Sequence, residues 1–227
     1  MRRLILAALL LSASAPAFAA ERDFPNAGFD KVNLAAAAKV DVHSGTRFAV
    51  HASGDPKWLD LLDIRVEQGT LVIGWTRDHI NMHGHDPIHI QISMPRIAEA
   101  TLSGAGTIMV DRADGPDFAA TIRGAGTIDL PALHTDRARF EMSGAGKITA
   151  AGSAGSVDAH VRGFGAIELA SLAAHAGRFD LSGTGSIKAR VDGPADVAMT
   201  GVGSIDVVGG ARCTVHKGGL GSVHCGG

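Results

Sequence analysis

The chain has 227 residues, a formal charge of −2, thirty glycines, no tyrosine and only 4% aromatic residues. A core of large rings is therefore excluded, and small aliphatic side chains must do the packing, which suits narrow stacked architectures. No basic stretch marks a nucleic-acid partner, and losing Arg2 and Arg3 with a leader moves the charge from −2 to −4.

Such a leader opens the chain. Met1-Arg2-Arg3 precedes an apolar run from Leu4 to Leu11 and the small-residue site Ala17-Phe18-Ala19, which predicts a signal peptide over 1–19, cleaved after Ala19. The run is shorter than the ~20 residues that span a bilayer, and no later stretch is long and apolar enough. The mature chain is thus expected to be exported, to the periplasm or the cell surface, with no transmembrane segment after cleavage.

Residues 20–98 read as a less regular, β-rich N-terminal cap. Val32 and Leu34, Val40 and Val42, and Phe48 and Val50 alternate as strands do, and Asp55-Pro56 opens a short helix towards Leu62. Ile64 to Glu67, Gln68-Gly69 and Leu71 to Trp75 predict a hairpin, and Ile88 to Met94 a further strand. Between them lie His79, His83, His85 and His89, with Asp78 and Asp86 nearby. Imidazoles at this density offer a site for a divalent metal, with His83 and His85 on one strand face. The competing reading is an exposed polar loop, favoured by Gly84 and Pro87.

From residue 99 to 227 one unit recurs. Leu102-Ser-Gly-Ala-Gly-Thr-Ile108 returns as Ile122-Arg-Gly-Ala-Gly-Thr-Ile128, Met142-Ser-Gly-Ala-Gly-Lys-Ile148, Val161-Arg-Gly-Phe-Gly-Ala-Ile167, Leu181-Ser-Gly-Thr-Gly-Ser-Ile187 and Met199-Thr-Gly-Val-Gly-Ser-Ile205. A degraded copy follows as Lys217-Gly-Gly-Leu-Gly-Ser-Val223, and the spacing of the leading glycines is 18 to 20 residues. Period-two flanks argue strands, and a glycine bend once per unit is what a coil of stacked parallel strands needs at its corner. The predicted fold is all-β, a parallel β-solenoid. Spacers alternate, Asp129 to Leu133 resembling Glu168 to Leu172, so the unit of duplication is either one coil or two.

These residues resemble the GIN-domain family of auto-transporter adhesin heads over about 29–208. The likeness rests on Phe29-Asp-Lys-Val-Asn-Leu34, Gly69-Thr-Leu-Val-Ile73, Ile92-Ser-Met-Pro95 and the Ser-Gly-x-Gly units. It implies a right-handed parallel β-helix, shaped like the pectin lyases but without their catalytic centre, and an adhesin-like role. The tripeptide Gly-Ile-Asn itself does not occur, the equivalent positions reading Gly-x-Ile-x. With no membrane barrel after the repeats, surface display would need a partner or a further export step.

The leading functional expectation is a non-enzymatic surface. Ser103, Arg123, Ser143, Arg162 and Ser182 precede the glycines in successive copies and would form one line, able to contact a glycan, an envelope component or a protein; no cofactor is required. The arginines never fall on neighbouring units, which avoids like charges side by side. Two alternatives come from other classes. A polysaccharide-acting envelope enzyme on a pectin-lyase-like scaffold would use Asp111, Asp114 and Asp117 with a basic residue; a periplasmic metal-binding protein would use the cluster from His79 to His89. Cys213 and Cys225 flank the last copy and are expected to form a disulfide worth roughly 3 kcal/mol in the chain-entropy model. The rival reading is a zinc site with His216 and His224.

Overall fold

Strict alternation of apolar and polar residues sends every second side chain inward, and in the computed structural model these inward residues form one continuous core running the length of a β-solenoid. Residues 20–76 and 88–226 are described. The predicted signal peptide and His79, His83 and His85 lie outside them.

The first half contains β1 (Ala20–Asp23), β2 (Lys31–Leu34), β3 (Ala37–Ser44), β4 (Ala49–Gly54), one helical turn α1 (Pro56–Leu59), β5 (Leu62–Glu67), β6 (Thr70–Trp75) and β7 (Ile88–Met94). Asp55 caps α1 by accepting from the Lys57 N–H at 2.9 Å, as its Asp-Pro sequence predicts. Gln68 and Gly69 both have positive φ, so they join β5 and β6 as a tight hairpin.

The repeats supply β8 (Glu99–Leu102), β9 (Ala105–Val110), β10 (Ala113–Ile122), β11 (Ala125–Met142), β12 (Ala145–Val161), β13 (Phe164–Leu181), β14 (Thr184–Val191), β15 (Pro194–Met199), β16 (Val202–Val208), β17 (Arg212–Lys217) and β18 (Leu220–Cys225). All of their pairings are parallel, and Gly126 lies against Gly146, which lies against Gly165. One copy of about twenty residues is therefore one coil. The longest strands bend round a second corner, where β11 shifts register against β12 between Leu130 and Leu133.

The N-terminal segment enters this stack out of order. β2 lies between β6 and β8, and β3 between β7 and β9, so the first coil in sequence is the second in space. Its corner, Leu34-Ala-Ala-Ala-Ala-Lys-Val40, registers on Leu102 to Ile108 as a further copy with alanines at the glycine positions. Beyond β6 and β7 the pairing turns antiparallel: β5 covers β6, β4 covers β7, and β1 covers β4. The Asn26 side chain donates to the Ile64 carbonyl, and Leu59 of α1 is buried, so this end is closed. No helix among the described residues is long and apolar enough to cross a membrane.

Cys213 and Cys225 are joined, with Cα atoms 6.2 Å apart, which takes both thiolates out of contention as zinc ligands. The bridge ties β17 to β18 across the last coil. Replacing both cysteines with serine is expected to cost roughly 3 kcal/mol locally. Hydrogen exchange should then accelerate in 212–225 while amides in β11 to β13 keep their protection; uniform acceleration along the chain would contradict this localisation.

Candidate functional site

The corner is built from backbone. The second glycine of each copy, from Gly106 to Gly221, has φ between +136° and +154°, a region that side chains rarely adopt. A Cβ there would also run into the carbonyl of the coil beneath. Close stacking of these corners sends the flanking residues outward in two adjacent rows.

One row is the predicted line. The N–H of Arg123 donates to Leu102 O at 2.9 Å, that of Ser143 to Ile122 O at 2.9 Å, that of Arg162 to Met142 O at 2.8 Å and that of Ser182 to Val161 O at 3.0 Å. Ser103, Arg123, Ser143, Arg162 and Ser182 thus occupy successive coils, all exposed. Ser103 Oγ donates to Asn33 Oδ1 at 2.6 Å, and Arg162 pairs with Glu141 at 2.6 Å. Arg123 has no ion pair among the described residues.

The second row holds the residue between the glycines: Ala105, Ala125, Ala145, Phe164, Thr184, Val202 and Leu220. Phe164 is 69% exposed and follows Arg162 by two residues on the same coil. Every other aromatic among the described residues is buried or half-buried.

A charged ladder that the sequence reading missed crosses the adjoining face. Lys31 registers on Glu99, Arg139 on Asp158, Asp158 on Arg178 and Arg178 on Asp196. Opposite charges thus neighbour each other in two stretches of this column separated by Ala119, with contacts of 3.5 Å for Arg139 to Asp158 and 3.7 Å for Arg178 to Asp196. The signal was present as charges of alternating sign 18 to 20 residues apart. A shallow groove of about 440 Å³ runs beside the ladder, lined by Lys31, Glu99, Arg137, Arg139 and Asp158 among others.

The proposed catalytic acids do not converge. Asp111 accepts from the Ser44 N–H and lies 3.2 Å from His43 Nδ1; Asp114 pairs with Arg112 at 2.5 Å; Asp117 takes both arms of Arg137 at 2.5 and 2.9 Å. The Arg137 hydrogen bonds hold the Asp117 carboxyl below its ordinary range, as fits a surface ion pair. Of the histidine cluster only His89 is described; its Nε2 lies 2.6 Å from Asp41 Oδ2. The other Asp41 oxygen is buried without a hydrogen-bond partner. No group of three or more metal-ligating residues occurs among the described residues.

Against known proteins, residues 28–211 match the family model described as "Putative auto-transporter adhesin, head GIN domain". No curated protein matches. Among solved structures, a "putative adhesin" from Bacteroides fragilis is similar at a TM-score of 0.84 and 21% identity, covering 91% of this chain and 96% of that one. A "putative lipid binding protein" from Parabacteroides distasonis has a TM-score of 0.70 at 16% identity, covering 92% and 97%. A "putative adhesin" from Parabacteroides merdae has a TM-score of 0.70 at 14% identity, covering 92% and 96%. At these identities the likeness establishes the solenoid fold.

Proposed function

Because the chain belongs to the GIN-domain family of auto-transporter adhesin heads, we propose that it is an exported, non-enzymatic adhesin-like module whose outer corner contacts a glycan of a cell envelope or surface. The observation that carries this reading is Phe164, an aromatic ring standing on a convex ridge where the neighbouring coils carry Ala145 and Thr184. Between these small neighbours the ring is 69% exposed and accessible to a sugar, whose C–H surface packs on an aromatic while its hydroxyls take hydrogen bonds at the rim. Ser143, Arg162 and Ser182 supply donors in the adjoining row on its own and the two neighbouring coils, and Arg123, with no ion pair among the described residues, adds a cation two coils from Arg162. Successive coils lie about 4.8 Å apart, so the row repeats on the scale of a sugar chain rather than a single small molecule. The polysaccharide-lyase alternative is disfavoured because Asp111, Asp114 and Asp117 each engage different neighbours, Asp111 the Ser44 N–H and His43, Asp114 Arg112, and Asp117 Arg137.

A glycan-array screen of the mature protein, with and without chelator, tests the reading. Glycan binding independent of metal is expected, and Phe164→Ala should weaken it about tenfold, a loss typical of an exposed anchor. Arg123→Ala and Arg162→Ala should each weaken it several-fold. Binding unchanged in all three variants would remove this corner from consideration.

A further inference from the structure

The two ends of the solenoid differ. The N-terminal end is closed by β1, β4, β5 and α1, which leave Val50, Leu59 and Leu62 buried. At the other end β17 and β18 pair only with β15 and β16, and among the described residues nothing lies on their outer edge. The interior column that reads Phe179, Val197, Val215 is fully buried at its first two members, yet Val215 is 44% exposed. A row of unpaired backbone groups next to open apolar surface is a template for one more strand.

The chemistry of that strand follows from the ladders. Glu168, Lys188 and Asp206 alternate in sign on successive coils, and His224 follows them on the last. In a neighbouring column Glu141, His160 and Asp180 are followed by Ala198 and His216. The last coil carries Arg212, His216, Lys217 and His224, and no acid occurs after Asp206. Lys217 stands in an interior column whose earlier members Met142, Val161, Leu181 and Met199 are all buried and apolar. A lysine at a sheet edge disfavours a basic strand and favours one that brings carboxylates close to it.

We propose that the open last coil is a docking edge for an extended acidic strand of a partner polypeptide laid along β17, with an apolar residue over Val215 and carboxylates over Arg212 and His216, the latter next to Lys217. A second copy fits this edge poorly. Antiparallel pairing of β17 with its own counterpart sets Arg212 against Lys217, and head-to-tail stacking meets the closed end of the next molecule.

The test uses the full mature protein and two blocked synthetic peptides of about eight residues, the length of an ordinary strand. One alternates glutamate with valine and the other lysine with valine. Fluorescence anisotropy should show binding of the acidic peptide, weakened by salt, with slowed hydrogen exchange at the amides of 212–217. The double variant Arg212→Glu and Lys217→Glu should exchange the preference for that of the basic peptide, while its glycan binding and circular dichroism stay those of the parent. Three results overturn the proposal: neither peptide protecting these amides, both binding equally, or the same amides being protected by concentration-dependent self-association without peptide.

Discussion

Gly146→Ala is expected to leave little folded protein, whereas Gly218→Ala, in the last copy of the same motif, is expected to unfold like the parent. At Gly146 φ is +150° and a Cβ would overlap the Gly126 carbonyl. Alanine there must both occupy a conformation reserved for glycine, at about 1–3 kcal/mol, and push two coils apart. Moving the backbone to relieve the contact breaks the Ala145 N–H bond to Gly124 O and the parallel register of β11 on β12. A total above about 4 kcal/mol is expected, beyond the usual range of single substitutions. Gly218 has no atom within 4 Å of the added methyl and lies outside the left-handed region, in the row where other coils carry serine or arginine. Its change should fall within about 0.5 kcal/mol of neutral, as for other exposed sites. Thermal melts by circular dichroism separate the two; equal melting of both variants would mean that the corner does not depend on stacked carbonyls.

The same carbonyl argument explains how much of the fold was legible. Seven copies announce themselves because each glycine must face the backbone of the coil beneath, and no other residue substitutes there. The copy at Ala35 to Ala38 escapes detection for the complementary reason. It stacks on β6 and β7, between which the sequence holds no Gly-x-Gly, and alanines occur at its glycine positions. The insertion of β2 and β3 between later strands was likewise beyond reach, since alternating strands carry no mark of which neighbour they join. Period two establishes the side that faces inward and says nothing about order along the axis.

The candidate site was half legible. The line from Ser103 to Ser182 follows directly from repeat position, and the structure places those residues on consecutive coils. The ladder through Arg139, Asp158, Arg178 and Asp196 was overlooked because repeats are found by sameness, while neighbouring charges are stable only when they differ. Phe164 sits at a position filled elsewhere by alanine, threonine, valine or leucine; its exposure follows from the geometry of the corner, which sequence reading treated as a bend without direction.

Phe140→Ala is expected to be the costliest core truncation, at about 3–5 kcal/mol. Phe140 is fully buried in the inward column Ala120, Phe140, Ala159, Phe179, Val197. Large and small residues alternate from Ala120 to Phe179, so each ring lies against an alanine of the neighbouring coil. Gly177 follows the same logic: a Cβ would lie 2.5 Å from the Phe179 ring. Within such a column a vacated ring cannot be replaced by collapse, since the backbones on either side are held by hydrogen bonds along their length. The test is a double-mutant cycle with Ala159→Phe. Alone, that ring overpacks against Phe140 and Phe179; combined with Phe140→Ala, it finds the volume on one side vacated. The pair should therefore be more stable than the sum of the single effects by about 1 kcal/mol or more, as for residues sharing a cavity. Urea unfolding measures the coupling, read with hydrogen exchange because a stack of coils need not unfold as one unit. Strict additivity would mean that each coil fills its own core, and that stacking is carried by the backbone corners alone.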